Sequence, residues 1–227
     1  MDQASTRLRV VTLDLSKNLS DSFEFAKKLF SDFGRLVILI ILHIIPFVNF
    51  IVVGYAARVL RESPGADAPP KLEKYAELFV DGVKIFFATL IYMIIPLILI
   101  AAGVGSFAAS DQLRSVSGQL LAGGTGVVLV LIGVIVAFAM LIIASAGIAH
   151  MVRTTKFGKA FAFSEILNQI RKIGWGKYIA WIVLVAIISA IIGAVFSIPI
   201  VGWLISLIVG PVVEVFFSRS LGLLCAE

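Results

Sequence analysis

The sequence predicts an all-α polytopic integral membrane bundle with proline-broken hairpins and interfacial amphipathic helices. Three observations carry that class. Of the 227 residues, 60% are hydrophobic and 15% charged, against about 45–50% and about 25% in a soluble domain; the mean hydropathy is +1.06. The charges are also segregated. Residues 36–57, 85–110, 115–152 and 178–213 contain no Asp, Glu, Lys or Arg, and about 20 apolar residues suffice for a helix to cross the hydrocarbon layer. Finally, proline recurs inside apolar runs, in "HIIPFVNF" (43–50), "MIIPLILI" (93–100) and "FSIPIVGW" (196–203), where a continuous helix loses a backbone hydrogen bond.

Each element follows in chain order. Residues 1–18 read as a mobile N-terminal tail. The first 35 residues hold six basic and five acidic side chains and no apolar h-region, so no secretory signal is expected there. A single membrane domain is expected over 19–219. It opens with an interfacial helix at 22–33, where Phe23, Ala26, Phe30 and Phe33 share one face. Residues 36–60 form either a re-entrant hairpin or one kinked span. A second interfacial helix is expected at 71–81, and membrane helices at about 83–108, 126–150, 177–198 and 203–219. Between the middle two lies a third amphipathic segment, 163–174, with Phe163, Ile166, Leu167, Ile170 and Ile173 on one face. "SVSGQLLAGGTG" (115–126) reads as a flexible entry to its membrane helix, and 220–227 as a C-terminal tail. Small residues four apart, Gly133/Ala137 and Ser189/Gly193, permit close helix contact.

Basic residues of short loops stay cytoplasmic, and their placement weighs the two readings of the first apolar run. Arg7, Arg9, Lys17, Lys27, Lys28 and Arg35 precede it; Arg58, Arg61, Lys71, Lys74 and Lys84 follow it. The loop around 110–124 has only Arg114, whereas 153–177 carries six basic residues and the last stretch has Arg219. A single crossing at 36–57 puts one strongly basic flank outside. A dip and return keeps every cluster cytoplasmic, with both termini inside, and gives Pro46 and Asn49 the role of turning the chain. The unit of amphipathic helix, glycine, membrane helix and Ile-Pro then occurs three times, a sign of internal repetition.

"GYAARVLR" (54–61), then "APPKLEKYAELFVDGVK" (68–84), then an aromatic-rich helix containing "IIP", resembles the uncharacterised archaeal and bacterial membrane proteins called the domain of unknown function 4013 family. The resemblance covers roughly residues 19–219. It implies a protein of the cytoplasmic membrane, with no assigned reaction and no catalytic residues to carry over.

Chemistry is sparse. "LAGGTG" (121–126) lacks the Lys-Ser/Thr of a phosphate loop and follows no strand. The chain has one cysteine, Cys225, and two histidines, so no disulfide, metal or cofactor is expected. The pI near 9.5 reflects basic residues beside membrane segments, which fits anionic lipid and topology rather than nucleic acid. Ionisable or polar groups within a membrane are costly and mark function by default, which singles out His43, Asn49, Glu214 and Arg219. Each has a plainer reading: His43 bonded to carbonyls freed by Pro46, Asn49 capping the turn, and Glu214 paired with Arg219 five residues on. The function expected is a non-enzymatic scaffold or accessory subunit binding lipid and other membrane-protein subunits, or itself. The alternative is a small-solute or ion transporter or channel using the proline-broken helices. A lipid-modifying enzyme needs clustered polar residues at one interface, and none stand out.

Overall fold

In the computed structural model, which describes residues 3–112 and 115–226 and the side chains from Asp14 onward, every regular element is helical. The helices are α1 (Gln3–Lys27), α2 (Phe33–Ile44), α3 (Phe50–Glu62), α4 (Tyr75–Ser110), α5 (Val116–Thr154), α6 (Phe163–Ile173), α7 (Trp175–Phe196) and α8 (Val201–Leu224), with 3-10 turns at Lys28–Ser31 and Phe157–Phe161. Four of them, α4, α5, α7 and α8, are long and apolar enough to cross a membrane. Arg114, the lone basic residue of its loop, lies outside the described residues.

The chain divides into two compact units, residues 1–86 with 146–227, and residues 87–145. The smaller unit is a hairpin of α4 and α5, and glycines let the two backbones touch. A Cβ on Gly103 would lie 2.8 Å from the Gly126 carbonyl oxygen, and one on Gly133 would lie 2.6 Å from Ile100. The Gly-rich stretch at 115–126, expected as a flexible entry, is therefore helix from Val116. Its glycines serve close packing, which membrane helices accommodate.

The larger unit is organised around α8, which packs on α1, α2, α3 and α7. Helix α1 occupies the stretch expected to be a mobile tail. From Leu15 it buries Asn18, Ser22, Phe25 and Ala26, with Leu29 just beyond its end. The amide of Asn18 donates to the Ser220 carbonyl (3.1 Å), the Ser220 hydroxyl donates to Asn18 Oδ1, and the Trp181 indole donates to Ser220 Oγ (2.8 Å). Those bonds hold α8 at Ser220, and the helix continues to a buried Leu224 where a C-terminal tail was expected. Of the face expected to be apolar, Ala26 is buried in this contact, whereas Phe23 on α1, Phe30 in the following turn and Phe33 at the start of α2 are 59%, 52% and 73% exposed. The 71–81 segment is no separate helix: residues 71–74 are irregular, and α4 then runs unbroken from Tyr75 through Pro96 to Ser110.

The other two prolines do break the chain. Helix α2 stops at Ile44, and Ile45 is extended (φ −84°, ψ 117°), as the residue before proline prefers. Phe47, just after Pro46, has φ 65°; Ile200, just after Pro199, has φ 66°. Residues with side chains seldom adopt such backbone, and a β-branched one least of all. The two tips thus repeat a strained conformation as well as a sequence. Helices α2 and α3 have 12 and 13 residues, about 18–20 Å each, too short to cross. Both arms of the hairpin meet one carbonyl: Arg35 Nη1 and the Tyr55 hydroxyl donate to Pro70 O, at 3.0 and 2.8 Å. The chain that leaves this loop at Arg35 is back beside it by Tyr55. Backbone contact between α3 and α4 closes the arrangement, for a Cβ on Gly54 would lie 1.8 Å from Leu78 O, and one on Gly82 1.9 Å from Phe50 O. Around them Phe25, Leu29, Leu39, Val52, Tyr55, Val59, Leu78 and Val215 form the core.

Candidate functional site

Two polar constellations stand out in the larger unit. One is a belt of arginines around residues 62–74. This irregular segment follows α3 and has carbonyls that no helix satisfies. Arginine suits the task, because its planar fork offers five donors from one charge. Arg35 donates to Pro69 O (2.6 Å) and Pro70 O. Arg58 donates to Glu73 O (2.9 Å). Arg61 reaches Val152 O (2.9 Å) and pairs with Asp81 at 2.7 Å. Arg153 caps the end of α8 through Gly222 O (2.6 Å) and Cys225 O (2.7 Å).

Arg219 is the centre of the belt and only 5% exposed. It donates to Ala66 O (3.0 Å), Pro64 O (3.3 Å) and Ser63 Oγ (3.3 Å), pairs with Asp21 at 3.2 Å, and lies 4.5 Å from the Phe25 ring centroid. The expected partner was Glu214, five residues back. The pairing with Asp21 corrects that, because α1 brings a carboxylate across from 198 residues away. Burial pushes the Cys225 thiol up to about 11, which makes it a poor nucleophile and a poor site for acylation.

A pocket of about 520 Å³ opens beside Arg153, lined by His150, Glu165, Gln169, Lys172, Ile173 and Cys225. Glu165 is held below the usual carboxylate range by hydrogen bonds from Lys159 and then His150. Its lining is cationic on balance and adjoins α6, whose Ile166, Ile170 and Ile173 are buried while Glu165 and Lys172 stay outside. Such a surface suits an anionic headgroup.

The other constellation lies between α2 and α8. His43, near the end of α2, places Nδ1 3.8 Å from Glu214 Oε1 on α8. On α8, Gly210 is one turn before Glu214, on the same face. A Cβ at Gly210 would come within 2.9 Å of His43 Nε2, so the missing side chain seats the imidazole against the α8 backbone. His43 Nδ1 and Glu214 Oε2 are buried without a hydrogen-bond partner. The sequence marked both residues singly; the structure brings them together. Asn49 stays at the hairpin tip, where its carbonyl accepts from Val52 N (2.9 Å) and Val53 N (3.1 Å) at the start of α3, and its side chain makes no capping bond.

Reasoning from sequence missed the carbonyl-binding role of Arg35, Arg58, Arg61 and Arg153, which it counted only as topological charges. Their signal was the pairing of arginine-rich helix ends with a Pro-rich segment. A family model described as Protein of unknown function (DUF4013) matches residues 38–201. No curated protein and no solved structure matches the chain.

Proposed function

The chain belongs to the family of proteins of unknown function DUF4013, and from that premise we propose that it is a scaffold or accessory subunit of a membrane complex. In this reading it catalyses no reaction, resides in the cytoplasmic membrane, and keeps both termini and the arginine belt on the cytoplasmic side. One observation carries the reading, the open face of α7. Ser189 and Gly193 lie there four residues apart, and nothing comes within 4 Å of a Cβ placed on Gly193. Lipid tails cover large apolar side chains well, but a small-residue groove is filled best by another helix. The four spans leave ample room for such contacts, since 17%, 11%, 11% and 17% of their most apolar windows are buried within the chain. The belt supports the same role by fixing one end of the bundle rigidly, and the basic pocket by offering a seat to anionic lipid.

The test is the native mass of the chain extracted with its surrounding lipid by an amphipathic polymer. The expected result is a complex of fixed stoichiometry well above the 24.4 kDa of one chain, reduced by Gly193→Leu. A lone chain under these conditions overturns the reading. The His43–Glu214 contact favours a second reading, a small transporter, for which solute flux through the purified chain alone in liposomes is the discriminating result.

A further inference from the structure

We infer that His43 and Glu214 form a binding site for one proton inside the membrane-embedded part of the protein. The argument is one of charge. With no proton bound, the pair carries one negative charge away from water; with two, one positive charge. Only with one proton is it neutral overall, as an imidazolium beside a carboxylate or an imidazole beside a carboxylic acid. An isolated charge in a water-poor interior is costly enough that ionisable groups change protonation instead. The 3.8 Å separation is short enough for the two groups to act as one unit, and the unsatisfied His43 Nδ1 and Glu214 Oε2 mark where that proton resides. A metal ion needs more donors, and among the described residues no three His, Cys, Asp or Glu side chains gather to hold one.

No other described charge competes for the site. Helix α2 packs on α3, α8 and the turn after α1, while α8 also packs on α1 and α7. Arg35 on α2 is paired with Asp32, and Lys28 of the turn donates to Asp67 O. On α3, Arg58 and Arg61 are engaged in the belt and Glu62 is exposed. On α1, Asp14 pairs with Lys177 of α7, Asp21 with Arg219 of α8, and Glu24 with Lys27, while Lys17 is exposed.

The sign of the linkage gives the test. Free Glu and His side chains of the unfolded chain together hold one proton between about pH 4.3 and about pH 6.5, and none above that. The folded pair keeps that proton to higher pH. Its contribution to the folding constant is therefore level across the acid window and falls about tenfold per pH unit above about 6.5. The experiment compares unfolding in mixed micelles, from pH 5 to 8.5, between the unaltered chain and the H43Q/E214Q double variant, which cancels every other titrating group. The expected difference is flat below about 6.5 and declines above it with the slope of one proton. A difference that stays constant over the whole range, or that rises with pH, overturns the inference. Should the double variant not fold, the Cys225→Ser chain at pH 8 in weak buffer suffices, because burial raises that thiol as well. Transfer to denaturing detergent releases one proton if the pair holds it, and none if it does not.

Discussion

At the scale of single residues, Arg219 shows what a buried cation needs. Its three loop acceptors, Asp21 and the Phe25 ring surround one guanidinium, and a lysine at this place supplies a single ammonium that cannot reach them together. Arg219→Lys is expected to lower stability by about 2–3 kcal/mol, the cost of leaving charge-assisted bonds unmade; chemical denaturation in micelles against the unaltered chain measures it. The same residue marks where reading a sequence stops. A carboxylate five residues away was visible as a partner, whereas Asp21 enters from α1, a segment whose buried face includes Asn18 and Ser22 and so carries little apolar periodicity. His43 and Glu214 were each conspicuous as ionisable groups in apolar runs. That α2 and α8 bring them together depends on the hairpin and on the absence of a side chain at Gly210, neither of which spacing alone reveals.

At the scale of elements, proline had to be read with its neighbours. Pro46 and Pro199 sit in tips where the following residue takes a positive φ, but Pro96 stays inside α4. Residues 49 and 202, an asparagine and a glycine three places after the two breaking prolines, were the legible difference, since both types favour turns; Pro96 is followed at that spacing by Leu99. Glycine was the more deceptive signal. In soluble proteins it punctuates helices, yet here Gly54, Gly82, Gly103 and Gly126 bring helix backbones into contact. Gly54→Ala and Gly82→Ala each force the α3 and α4 backbones apart. Each is expected to cost about 3 kcal/mol, at the upper end for overpacking, while Gly193→Ala on the open face of α7 leaves stability unchanged. Thermal unfolding of the three variants in one detergent separates the two classes.

At the scale of the whole molecule, the four uncharged runs made the class legible, because hydrocarbon admits only helices, whose bonds close within the segment, or closed barrels, and these runs are far longer than the short alternating strands of a barrel. The basic residues bear on the route of the chain. Arg35 and Arg58 flank an apolar stretch, and the structure places both on the loop at 62–74, the arrangement expected if that stretch dips and returns. The measurement that tests this most directly is thiol accessibility in intact cells, with single cysteines at Glu24, Glu73 and Ser117, all exposed, in a Cys225→Ser background. A re-entrant hairpin keeps residues 24 and 73 on one side, and with the cytoplasmic orientation proposed above an impermeant reagent is predicted to label 117 alone. Labelling that separates 24 from 73 contradicts the re-entrant hairpin, and with it the common loop to which both of its ends are tied.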